Sequence, residues 1–179
     1  ISSVARPYME HLSAEVGASV VLSICEGDHV ITLDQVVGDG NLCVVSNLGA
    51  PLPLYCTSQG KVFLAHMQES EATGLLARTL MTQFTPHTVV SAEELLSSLA
   101  QCRTDGYAVE NGEYRIGLRS VSAPIFGSGG ELAYTVGVIG MFRSVRSEEF
   151  RKTIEAVTAA GRMISNALGY REQPSVGRR

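Results

Sequence analysis

The order of its periodic segments limits this chain more than any other feature. Stretches rich in Val, Ile and Leu fall at 18–24, 30–37 and 41–46, and again at 107–110, 118–126 and 132–142. These runs have the length and residue types of strands. Between and around the two blocks the spacing is helical, at 4–16, 57–67, 69–80, 91–104 and 147–168. In the first of these Val4, Tyr8, Leu12 and Val16 share one face. A helix, three strands, three helices, three strands and a helix is not the alternation that builds a doubly wound parallel sheet. The expected class is α+β: a mixed, largely antiparallel six-stranded sheet flanked by helices.

The punctuation agrees with this order. Gly17 offers the left-handed conformation that ends the first helix, and the link 25–29, reading CEGDH, has hairpin character. After the turn Gly38-Asp39-Gly40, residues 41–46 read as a short third strand. Residues 48–53 read as an irregular loop, because Gly49, Pro51 and Pro53 interrupt any ladder. Thr57 or Ser58 caps the next helix, which buries Val62, Phe63, Leu64 and Met67. Ser91 with Glu93 and Glu94 opens a later helix that Gly106 stops, and Ser147 caps the last one. The expected organisation is a linker and first helix over 1–17, one domain over 18–170, and a loose tail over 171–179.

Composition bounds the partners. At 179 residues the chain can bury a real core, and 45% hydrophobic against 18% charged residues argues against disorder. So few charges imply that a partner subunit covers some apolar surface, as in a homo-oligomer. With 14 Lys and Arg against 18 Asp and Glu the net charge is -4, so the attraction that drives phosphate binding is missing and no direct nucleic-acid contact is expected. Cys25, Cys43, Cys56 and Cys102 show no paired spacing and read as reduced thiols. No run of about 18 apolar residues exists and the first ten residues carry charges, so the expectation is a soluble cytoplasmic protein without membrane contact. The chain opens at Ile1 in what reads as mid-helix, so an upstream portion is expected.

Ser58-Gln59-Gly60-Lys61 has the Ser-x-x-Lys spacing of penicillin-binding enzymes, which suggests a small hydrolase as a rival reading. The Ser-Asp-Asn loop and Lys-Thr-Gly strand of that chemistry are absent, and helix capping accounts for Ser58. Gly60-Lys61 is not a phosphate loop, since Val62 stands where a hydroxyl would hold magnesium. His11, His29, His66 and His87 share no ligand spacing with one another or with a cysteine. Catalytic residues, a metal and a cofactor are therefore not expected. What remains is a binding pattern. The helix start at Ser58, Gln59 and Gly60 presents free backbone N–H groups to an acceptor. On the following strands Leu118, Ser120 and Ser122 share one face, and Thr135, Gly137, Ile139 and Met141 share another. Small, mildly polar residues beside apolar ones suit a cavity, although ordinary core packing in a ligand-free oligomerisation module explains them too.

The segment 51–65, PLPLYCTSQGKVFLA, closely resembles the central signature of the IclR family of bacterial transcription regulators. The stretches 84–88 (FTPHT), 106–113 (GYAVENGE) with Gly117, 122–126 (SAPIF) and 165–169 follow that family in order and spacing. The resemblance implies a GAF-like (profilin-like) effector-binding domain, non-enzymatic, joined at its N-terminus to a winged helix-turn-helix domain through which DNA is bound. It implies dimers or tetramers and allosteric control by a small organic effector. Carried over residue by residue, it places the effector at Ser58, Gln59, Glu110, Ser120, Gly137 and Ile139. Members that bind small oxyacids place hydroxyls on the last strand where this chain has Gly137 and Ile139, so the expected effector is bulkier and less polar than glyoxylate or pyruvate: an organic acid, aromatic or hydroxylated.

Overall fold

The computed structural model describes residues 1–40 and 42–171. Five helices and six strands follow in the order α1 (Ser2–Val16), β1 (Ser19–Glu26), β2 (His29–Val36), β3 (Pro51–Pro53), α2 (Ser58–His66), α3 (Glu69–Arg78), α4 (Ala92–Asp105), β4 (Ala108–Asn111), β5 (Arg119–Phe126), β6 (Leu132–Gly140) and α5 (Glu148–Ala167). The strands form one sheet in the order β3-β2-β1-β6-β5-β4. All five pairings are antiparallel. The α+β architecture with a six-stranded sheet and flanking helices is therefore present, without a parallel pair among the described residues. Caps sit where the sequence puts them: Ser91 accepts from the Glu94 N–H and Ser147 from that of Phe150. Of the expected tail, all but Arg171 lies outside the described residues.

The third strand is not where the sequence reading puts it. Residues 42–46 form no ladder, whereas Pro51–Pro53 pairs with β2 through His29↔Pro53, Val30↔Leu52 and Ile31↔Pro51. Proline has no N–H to give, but β3 is an edge strand with one side unpaired, which is where a strand tolerates it. The chain at 43–46 is held by side chains instead. Gln35 donates through Nε2 to Val44 O (2.9 Å) and accepts through Oε1 from the Ser46 N–H (2.8 Å), while Ser19 Oγ donates to Val44 O (2.7 Å).

Strand alternation gives the sheet two different faces. Val20, Leu22, Val121, Ala123, Val136 and Val138 point towards α1 and α5, where Met9, Leu12, Phe150, Val157 and Ile164 complete a dry core. Each fully buried side chain of this size contributes about 1.5–3 kcal/mol. The opposite face carries Ser23, Thr32, Ser120, Ser122 and Thr135, all buried beneath the layer of α2, α3 and α4. That layer keeps a second core of its own, built on Val62, Phe63, Leu64, Leu75, Leu76 and Leu95. No helix among the described residues is long and apolar enough to cross a membrane.

Candidate functional site

The polar face of the sheet meets the first turn of α2. Thr57 is the N-cap: its Oγ1 accepts from the Gly60 N–H (3.2 Å) and donates to Pro53 O (2.7 Å), tying the helix start to the edge strand. A Cβ on Gly60 would lie 2.1 Å from Leu54 O, so only glycine lets the turn 54–60 close on itself. Ser58 is fully buried, with its Oγ 2.8 Å from Ser122 Oγ and 2.8 Å from Ser120 Oγ. Gly137 pairs with Ser122, and a Cβ there would come within 2.3 Å of the Ser122 hydroxyl. Glycine at 137 thus makes room for the serine that receives the helix.

In front of these serines lies a cavity of about 290 Å³. Gln59, Glu110 and Ser120 form its floor, and Leu52, Leu118 and Ile139 its apolar wall. Its mouth is the 44–47 segment with Tyr114 and Arg115. The strand register brings the two rows of residues read from the sequence onto one side of the sheet, as Ser120↔Ile139 and Ser122↔Gly137. Of the seven residues expected at a site, Gln59, Glu110, Ser120 and Ile139 line this cavity. Ser58, Gly60 and Gly137 stand behind it as its support. Sequence reasoning missed Tyr114 and Arg115, although they continue the same strand-end motif as Glu110. It also missed the 44–47 segment, whose anchoring by Gln35 leaves no local pattern.

The floor is polar and poorly solvated. Gln59 is 2% exposed, and its Nε2 has no hydrogen-bond partner among the described residues. Glu110 is 4% exposed; Oε1 accepts the Glu113 and Tyr114 backbone N–H groups, and Oε2 lies 3.2 Å from Ser120 Oγ. Burial pushes this carboxyl above the usual range, with the nearby Glu113 charge adding to the rise; the two backbone donors and Ser120 oppose it without cancelling it. Behind it Lys61 donates to Val109 O (3.1 Å) and forms a mostly buried ion pair with Glu113. Lys61 is thus engaged with Glu113 and the Ser58 hydroxyl with two serines, which accounts for both residues without hydrolase chemistry. Among the described residues no cluster of His, Cys, Asp and Glu is arranged for a metal. All four cysteines are free thiols, and burial pushes Cys56 to about 12 and Cys102 to about 11.

The same fold is found in solved structures of bacterial transcription regulators. The Thermotoga maritima IclR structure superposes with a TM-score of 0.88 at 30% identity, covering 94% of this chain and 68% of that one. The C-terminal domain of Escherichia coli KdgR gives 0.83 at 27% identity, covering 94% and 98%. The family described as bacterial transcriptional regulator IclR C-terminal matches residues 1–166, and the chain belongs to that family. Relatives from Escherichia coli strain K12 include the HTH-type transcriptional regulator XynR, 31% identical over 93% of this chain, and the HTH-type transcriptional repressor AllR, 30% identical over 97%. The chain spans 66% and 64% of the length of these two relatives. They are regulators, not enzymes.

Proposed function

We propose that this chain is the effector-sensing part of a cytoplasmic IclR-type regulator, taking a small organic acid into the cavity over Gln59 and Glu110. The observation that carries the reading is the Gln59 amide: a buried N–H donor on a residue that lines the cavity, with no partner among the described residues, costs about 1–3 kcal/mol unless a guest supplies an acceptor. With Gly137 and Ile139 adding no hydroxyl, the guest is bulkier and less polar than glyoxylate or pyruvate. Effector binding shifts the balance between assembly geometries of a homodimer or homotetramer, and so repositions N-terminal winged helix-turn-helix domains on DNA. Such couplings amount to about 1–3 kcal/mol, and they exist only if the effector favours one geometry over the other. A net charge of -4 leaves DNA contact to the other domain.

A thermal-shift screen of organic acids, followed by titration calorimetry, tests this. Acids larger than pyruvate should stabilise the protein, and Gln59→Ala should weaken them about tenfold. Stabilisation by two- and three-carbon acids alone would overturn the size argument. Affinity indifferent to Gln59→Ala would remove the effector from this cavity.

A further inference from the structure

The polar groups of the cavity differ in depth and in what they require of a guest. The Gln59 Nε2 at the floor offers a donor and has no acceptor among the described residues. Glu110 offers an acceptor: Oε1 already takes two backbone N–H groups, whereas Oε2 faces one hydroxyl at 3.2 Å. Both belong to one end of the cavity, because Ser120 and Ser58 link Glu110 to Gln59 through contacts of 3.2, 2.8 and 3.4 Å. One hydroxyl of a guest satisfies both, accepting from the amide and donating to the carboxylate. A guest carboxylate at the same place would bury a second carboxyl against Glu110, where desolvation already disfavours the charged form.

The opposite end has the opposite character. Among the described residues Arg115 is the one cation lining the cavity, and it sits at the exposed mouth. Its guanidinium carbon lies 4.3 Å from the centre of the Tyr114 ring, and Nη1 donates to Tyr114 O at 3.2 Å. It forms no ion pair among the described residues. A stacked guanidinium keeps donors at its edge, and that edge matches a carboxylate with two parallel hydrogen bonds. Leu52, Leu118 and Ile139 between the two ends provide only apolar surface.

Building on the effector-pocket reading, we propose that Arg115 is the specificity-determining residue of the cavity and fixes the effector's direction. The effector is a hydroxylated monocarboxylic acid with an apolar body, its carboxylate outward on Arg115 and its hydroxyl inward between Gln59 and Glu110. Neither a bare hydrocarbon acid nor a neutral hydroxy ester meets both ends.

Calorimetry on matched sets tests this, each set comprising a hydroxy acid, its methyl ester and the acid lacking the hydroxyl, on aliphatic and aromatic skeletons. In the wild-type chain the best-fitting hydroxy acid should bind at least about tenfold more tightly than its ester. Arg115→Gln should abolish that preference while leaving the ester's own affinity unchanged, and Arg115→Lys should restore part of it. Glu110→Gln should instead reduce the preference for the hydroxy acid over its deoxy counterpart. A preference for acid over ester that survives Arg115→Gln overturns this assignment alone. Acids that bind Gln59→Ala as well as wild type overturn the cavity reading beneath it, and a complete absence of binders overturns both.

Discussion

Thr57 Oγ1 holds two otherwise loose ends, the first turn of α2 and the carbonyl of Pro53. Thr57→Ala should cost about 1 kcal/mol in urea unfolding, the usual worth of an N-cap. Gly60→Ala is the harsher change: its methyl would collide with the Leu54 backbone, which has no rotamer to give. A loss of about 1–3 kcal/mol is expected, and the damage should appear as altered signals across 54–60 in amide spectra. Glu110 makes a pH prediction. Its folded carboxyl keeps the proton above the value near 4.5 at which the unfolded chain releases it. The folded state therefore binds more protons in that window, and stability falls as pH rises through the folded value. His66, lowered by burial, acts in the other direction below 6.5, so the comparison must be with Glu110→Gln, which should flatten only the Glu110 part of the stability profile.

At the scale of elements, the 43–46 segment is strand-like in composition and yet pairs with no strand. The Gln35 carboxamide acts in place of a neighbouring backbone, giving one donor and one acceptor. Gln35→Ala should speed exchange of the Ser46 amide several-fold, about fivefold for one lost hydrogen bond of ~1 kcal/mol, while amides in β1 stay protected. The same segment shows where sequence reading stops. Helix caps at Thr57, Ser91 and Ser147 are local chemistry and were legible, as were the strands whose apolar residues alternate. The exchange of 41–46 for Pro51–Pro53 as the third strand was not, because it depends on which edge of the sheet is left unpaired. Gln59, Glu110, Ser120 and Ile139 were legible through the resemblance and face alternation. The close-packing roles of Gly60 and Gly137, by contrast, depend on the distance between α2 and the sheet.

The sheet separates two apolar cores that share no side chain among the described residues. Ile164→Val on the α5 side should cost about 1 kcal/mol and Leu76→Ala on the α3 side about 2–5 kcal/mol. Measured together by denaturant unfolding, the two losses should add within about 0.5 kcal/mol, since no contact couples them. Between the cores lies the seam where α2 crosses oxygen-bearing strands: Ser58 meets Ser120 and Ser122, and farther along Ser23, Thr32 and Thr135 are buried with hydroxyls unpartnered among the described residues. Interlocked methyl groups resist sliding because every ångström of travel means climbing over a neighbour. A hydroxyl changes partner by turning about its Cβ–Oγ bond, so the contact of Ser58 with Ser120 and Ser122 is held by direction-adjustable hydrogen bonds, whereas the two cores on either side are held by interdigitated shape.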